Sequence, residues 1–315
     1  MGDDADLPRP RHESAIVLPG GRALGYAEWG DPDGRPIIWC HGTPGARKQI
    51  PPDGPALAEE HGVRLIGIER PGTGLSTPYR YGKVLDWTGD LDACLDKLGI
   101  DRFGIVGLSG GGPYVLAACH AMADRVVAGA VLGGIGPTRG EEAAPGYTRL
   151  LPLAEPLITF LRLPLGEVLT HAIRPLRTMA DHGFQLYMRV APAADRPVMR
   201  RPEMKAMFLY DLTESCEGGL RAPVTDLVVF GREWGFSLRD IEVPVKFWHG
   251  DADGIVPLSH GEFQAAMVPG AEFQLCPGGG HFAGFVLGEQ VFSFVLDHWD
   301  DADDEAEPTS APASA

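Results

Sequence analysis

Short apolar runs bounded by glycine, proline and acidic residues recur along the first part of the chain, with stretches of helical spacing between them. "SAIVL" (14–18), the turn "PGG" and "ALGYAEW" (23–29) carry the pattern of an antiparallel hairpin. "PIIWC" (36–40), "LIGIE" (65–69), "FGIVGL" (103–108) and "RVVAGAVLGG" (125–134) are continuously apolar. Such runs suit strands of a parallel sheet covered on both faces. Between them, "PALAEEHG" (55–62) and "DWTGDLDACLDKLG" (86–99) are predicted as helices. The rhythm then changes. Residues 137–240 become rich in Leu, Pro, Met and Arg, as in "RLLPLAEPLITFLRLPLGEVLTHAIRPL", and the proline-interrupted spacing predicts several short helices. "VPVKFWHG" (243–250) and "EFQLCPG" (272–278) restore the strand pattern, and "AGFVLGEQVFSFVLDHW" (283–299) predicts a terminal helix. The expected architecture is one α/β core, 14–136 and 241–299, interrupted after its sixth strand by a helical insertion at 137–240. The acidic ends, 1–13 and 300–315, are expected to be disordered tails.

Composition narrows the partners. At 315 residues and 44% hydrophobic content, the chain can bury a large core. A formal charge of −16 opposes nucleic-acid binding, because nothing offsets phosphate repulsion. Cys40, Cys94, Cys119, Cys216 and Cys276 are scattered with no CxxC pair, which is neither a disulfide framework nor a zinc site. A reducing, cytoplasmic setting is therefore expected. The start shows no basic segment followed by an apolar stretch, and no run approaches the ~20 apolar residues of a membrane span.

The candidate chemistry centres on "GIVGLSGGGPYVLAACHAM" (104–122), where Ser109 interrupts otherwise good core among Gly107, Gly110, Gly111 and Gly112. Four glycines cost backbone entropy, so they need a reason. Gly107-Leu108-Ser109-Gly110-Gly111 is G-x-S-x-G between a predicted strand and a predicted helix, the context of a nucleophile elbow. The bland alternative is a plain glycine-rich strand-to-helix turn. A serine hydroxyl needs a base to attack a carbonyl. Of ten histidines, His281 in "CPGGGHFAGF" follows the last predicted strand, at the sheet edge that also carries Ser109. His61, His120 and His298 fit helix surfaces, His171 and His182 in the insertion remain alternatives, and His260 begins a helix. Asp253 in "FWHGDADGIVP" is the preferred carboxylate, with Asp251 read as turn-capping. No acid stands after strand six before Glu141, which favours Asp253. The N–H groups of Gly110 and of Thr43 in "HGTPG" (41–45) are the expected oxyanion donors. His41 is read as a buried imidazole that shapes this loop.

These segments, together with "ERPGTGLS" (69–76), "HGDADGIVP" (249–257) and "GGGHF" (278–282), resemble the α/β-hydrolase-fold superfamily, in the family's order along nearly the whole folded chain. The likeness is strongest to the serine branch with a helical cap after strand six, which includes esterases, lysophospholipase-like enzymes and proline iminopeptidases. It implies an α/β-hydrolase fold with Ser109 as nucleophile, Asp253 as acid, His281 as base, and Thr43 and Gly110 as oxyanion donors. Ser109 departs from the aspartate nucleophile of epoxide hydrolases and haloalkane dehalogenases of this fold, so neither activity is implied. Glu69 stands where the family's usual motif begins with Asp, read as a loop-bracing change. The expected function is cleavage of a carboxylic ester or related acyl bond of a small, apolar substrate, with no metal or organic cofactor. The same triad serving iminopeptidase, C–C hydrolase or perhydrolase chemistry is the alternative, and a binding protein without turnover is disfavoured. A homodimer is left open. Leu150, Leu151, Leu153, Leu157, Ile158, Phe160, Leu161, Leu163 and Leu165 are read first as packing of the insertion and second as an acyl pocket, with Trp234 and Phe236 expected to face it.

Overall fold

Side-chain alternation along each strand decides the layering. The computed structural model describes residues 7–146, 150–157, 159–160, 180–214 and 221–306. Eight strands form one sheet in the order β1-β2-β4-β3-β5-β6-β7-β8. They are β1 (His12–Val17), β2 (Ala23–Gly30), β3 (Arg35–Cys40), β4 (Val63–Ile68), β5 (Phe103–Leu108), β6 (Val126–Leu132), β7 (Val245–Gly250) and β8 (Glu272–Cys276). β1 and β2 pair antiparallel, as does β2 with β4, and every later pairing is parallel. On β3, Ile38 and Cys40 join one buried cluster while Ile37 and Trp39 join the other. Both faces of the central strands are thus apolar, and helices cover both.

Between strands lie α1 (Gly54–Glu60), α2 (Thr88–Leu98) and α3 (Gly112–Ala121), and after β7 come α9 (Leu258–Met267) and α10 (Gly288–Ala306). Between β6 and β7 the described residues form the helices 151–157 (α4), α5 (Ala180–Val190), α6 (Arg196–Met199), α7 (Pro202–Glu214) and α8 (Arg221–Phe230), with turns and irregular chain at 133–146, 191–195 and 231–244. Prolines at positions 197, 202 and 223 stand in first turns, where a missing N–H does no harm.

Two ends differ from expectation. β1 begins at His12, so the sheet starts inside the segment expected to be tail. The terminal helix begins at Gly288 rather than 283, because 281–287 form a run of turns around His281. It then continues to Ala306, into the acidic stretch expected to be disordered; Ala and Glu sustain a helix and no proline intervenes before Pro308. Residues 1–6 and 307–315 lie outside the described residues.

Candidate active site

Ser109 follows β5 at the centre of the sheet and opens a single 3-10 turn, Ser109–Gly111, that leads into α3. Its φ is 51°, and among the described residues no other non-glycine residue has a positive φ. A conformation of this kind costs of order 1–3 kcal/mol and persists only where the surroundings enforce it. The glycines supply the enforcement. A Cβ on Gly107 would stand 2.7 Å from Gly111, and one on Gly111 would stand 2.3 Å from the Cys40 carbonyl oxygen. Helix α3 can therefore cross the strand ends closely enough to hold the serine above the sheet.

The expected acid and base follow the last two strands of the sheet, β7 and β8, on the far side of β6. Asp253 follows β7, and its Oδ1 accepts the N–H groups of Ile255 (2.8 Å) and Val256 (2.9 Å). Its Oδ2 lies 2.8 Å from His281 Nδ1, in the turn after β8. His249 Nε2 stands 3.4 Å from the same oxygen and 3.0 Å from the Val256 carbonyl. Burial alone would raise the Asp253 pKa, but hydrogen bonds from His249 and His281 outweigh it and hold the carboxyl well below the usual range. Gly133, at φ +56, closes the floor: a Cβ there would be 3.4 Å from His281 Nδ1 and 3.5 Å from Asp253 Oδ2. Asp195, at the start of α6, accepts the Phe282 N–H (3.1 Å) and so ties the insertion to the histidine turn.

The loop after β3 completes the set. A Cβ on Gly110 would stand 2.4 Å from Thr43 Oγ1, so these two residues adjoin, and one on Gly42 would stand 3.5 Å from Ser109 Cβ. Gly110 occupies the first turn of its helix, where an N–H has no intrahelical partner. His41 is buried, with Nδ1 2.7 Å from the Gly42 carbonyl and Nε2 accepting the Arg70 N–H at 3.3 Å. That pairing requires Nδ1–H and a neutral ring. Burial first, and the Arg70 charge second, push its pKa well below the ordinary value. Gly42 N–H donates to Gln49 Oε1 (2.5 Å), Gln49 donates to Asp211 of α7, and the Ala46 N–H reaches Asp211 at 3.2 Å.

Ser109 and His281 line one cavity of about 340 Å³, together with Thr43, Gln49, Asp211, Ile255 and Phe282. Tyr187 and Phe208, stacked at 4.7 Å, form its wall on the insertion side. Trp234 and Phe236 do not line it, contrary to expectation. Phe236 stacks on His120 of α3 at 5.2 Å, and Trp234 is buried beside it in the core, where two aromatic faces bury more area than at a wet rim. Leu150, Leu153, Leu157 and Phe160 are exposed rather than pocket-lining. Ile158, Leu161, Leu163, Leu165 and His171 lie outside the described residues. Asp251 accepts the Gly278 N–H at 2.7 Å, tying its loop to the turn after β8. Buried Glu69 accepts from Arg47, Leu75 and Ser76, which braces its loop. His260, in α9, is fully buried and accepts the Gly136 N–H at 2.8 Å. Sequence reasoning missed His249, Asp195 and Asp211. Of these only His249 stood within a quoted motif, and the two aspartates carry no local signal at all.

A mostly parallel sheet with a strained serine after β5, a carboxylate after β7 and a histidine after β8 defines a class. The chain belongs to the alpha/beta hydrolase family, whose profile matches residues 18–292. Proline iminopeptidase of Neisseria meningitidis is 29% identical over 155 residues, 47% of this chain and 49% of that protein, so the match spans about half the length of that relative. Non-heme haloperoxidase of Rhodococcus erythropolis is 26% identical over 271 residues, 84% of this chain and 92% of that protein. Among solved structures, an esterase from Exiguobacterium antarcticum superposes with a TM-score of 0.67 at 18% identity, covering 90% of this chain and 100% of that one, a likeness of fold. Among the described residues, no helix is long and apolar enough to cross a membrane.

Proposed function

We propose that this protein is a serine hydrolase that cleaves a carboxylic ester, or a related acyl bond, of a small and fairly apolar substrate. The observation that carries the proposal is the shared cavity: Ser109, at φ 51°, and His281, whose Nδ1 is held 2.8 Å from Asp253, open onto the same space. Asp253 fixes the tautomer with Nδ1–H and leaves Nε2 to exchange protons. Ser109 Oγ attacks the carbonyl carbon as His281 takes the hydroxyl proton. The oxyanion is received by the N–H groups of Thr43 and Gly110. Collapse of the adduct expels the alcohol, which takes the proton back from His281. Water then attacks the acyl-enzyme by the same route in reverse and releases the acid. The helices between β6 and β7 act as a cap, with Tyr187 and Phe208 packing against the acyl chain.

The test is labelling by a fluorophosphonate probe, followed by a panel of p-nitrophenyl esters of graded chain length beside aminoacyl anilides. Wild type is expected to label and Ser109→Ala not to, with short to medium esters turned over. Equal labelling of the alanine variant would remove Ser109 from the mechanism. A second reading has one observation in its favour. Asp211 lines the cavity, its oxygens held by the Ala46 N–H and Gln49, and its negative charge there suits a cationic amine; one relative is named an iminopeptidase. Turnover confined to a prolyl anilide would select that reading.

A further inference from the structure

The Ser109 mechanism needs the Thr43 N–H aimed at the developing oxyanion, and that N–H shares a rigid peptide plane with the Gly42 carbonyl. Whatever holds the carbonyl on one side therefore aims the N–H on the other. Two donors reach the Gly42 oxygen: His41 Nδ1 and Arg70 Nη2, each at 2.7 Å. Arg70 also donates from Nη1 to the His41 carbonyl at 2.5 Å, so its planar fork grips two successive peptide groups of the loop. The guanidinium is buried, with 3% of its side chain exposed, and a buried cation must have a counter-charge.

That counter-charge comes from outside the α/β core. Asp226, on α8, accepts Arg70 Nε at 3.0 Å and Nη2 at 2.8 Å through Oδ2. The same oxygen accepts the Thr43 hydroxyl at 2.7 Å, and Arg70 Nη2 reaches that hydroxyl at 2.8 Å. Tyr114 of α3 donates to Oδ1 at 3.3 Å, and its ring lies 5.0 Å from the guanidinium carbon. Asp226 thus fixes the donor loop twice, through Arg70 on the Gly42 carbonyl and directly on the Thr43 side chain.

We propose that Asp226 is a positioning residue for the oxyanion donor at Thr43, and that the insertion is by this contact a working part of the oxyanion hole as well as a wall of the pocket. The inference rests on the serine-hydrolase reading above. The geometry separates it from a simple tether, because the groups held are the peptide plane and side chain of the donor residue itself.

The experiment compares wild type, Asp226→Asn, Asp226→Glu and Arg70→Lys by rate of fluorophosphonate labelling, by kcat and KM on p-nitrophenyl butyrate, and by thermal midpoint. Asp226→Asn keeps the shape and removes the charge. It is expected to slow labelling and kcat about tenfold or more, part of the 10²–10³ carried by a whole oxyanion donor, with KM within about twofold. Asp226→Glu should recover part of that loss. Folded Asp226→Asn labelling within about twofold of wild type, whatever its midpoint, overturns the inference, and so does a rise confined to KM. Should Asp226→Asn not fold, Arg70→Lys decides. It keeps the charge pair but loses the fork, and a folded lysine variant at the wild-type rate also overturns the inference. A wild type that does not label at all removes the serine mechanism and this inference together, whereas labelling of wild type with unaffected variants removes only the latter.

Discussion

Gly111 has no freedom to be anything larger, because the Cys40 carbonyl lies 2.3 Å from where its Cβ would be. The obstacle is backbone, which cannot step aside as a side-chain end can. Gly111→Ala is therefore expected to destabilise by about 1–3 kcal/mol, the usual range for overpacking, and to lose hydrolase activity as the serine moves. A thermal melt and the labelling assay check both. Asp253 is governed by charge rather than space. Asp253→Asn would preserve volume but present an amide to His281 Nδ1, favouring the wrong tautomer. A fall in kcat of about 10³–10⁴ is expected, as in other triads that lose this charge. An asparagine variant with near-normal kcat would show that the carboxylate does not serve His281.

At the scale of elements, α2 shows how local and tertiary demands divide a helix. Gly89 in its first turn is exposed, with nothing within 4 Å of an added Cβ, whereas Gly99 closes the helix at φ +66. Gly89→Ala should stabilise by up to about 1 kcal/mol, since alanine loses less backbone entropy. Gly99→Ala should destabilise by about 1–2 kcal/mol, because the left-handed region crowds a Cβ. Opposite shifts in urea midpoint at unchanged slope are the expected result. Both glycines look alike in composition, and only the cap geometry separates them. The strands were legible for a related reason. β3, β5 and β6 are buried on both faces, so unbroken apolar runs announced them.

For the molecule as a whole, stability should carry a pH signature from buried imidazoles. Burial, with His249 nearby, lowers the His260 pKa to about 4, and His41 is also pushed well below its ordinary value. Both rings stay neutral in the folded chain and take up a proton on unfolding at pH values below about 6.5. The unfolded state then binds more protons, so stability falls as pH drops from about 6.5 towards 4. Asp253 adds a further loss at lower pH, since its depressed carboxyl contributes its full stability above the unfolded carboxylate value of about 3.9 and loses it progressively as pH falls from there towards the lower folded value. Thermal midpoints between pH 8 and 4 should decline in this sense. His260→Asn should lower the midpoint at pH 8 yet flatten the slope between 6.5 and 4. An unchanged slope would exclude His260 as a contributor.

Residue order alone was enough to announce the α/β alternation, the strand carrying Ser109, and the loops that hold Asp253, His281 and Thr43, because each depends on a short local pattern. Apolar runs, glycines around a serine and polar turns after strands constrain their own few residues. The pocket wall could not be read in this way. Trp234 and Phe236 had the right composition but pack in the core, while Tyr187, Phe208 and Asp211 reach the cavity from helices whose spacing resembles any other helix. Asp226 meets Arg70 across 156 residues of chain. A contact of that kind is created when two distant surfaces close on each other and leave a buried charge to be matched, so tertiary structure alone decided it.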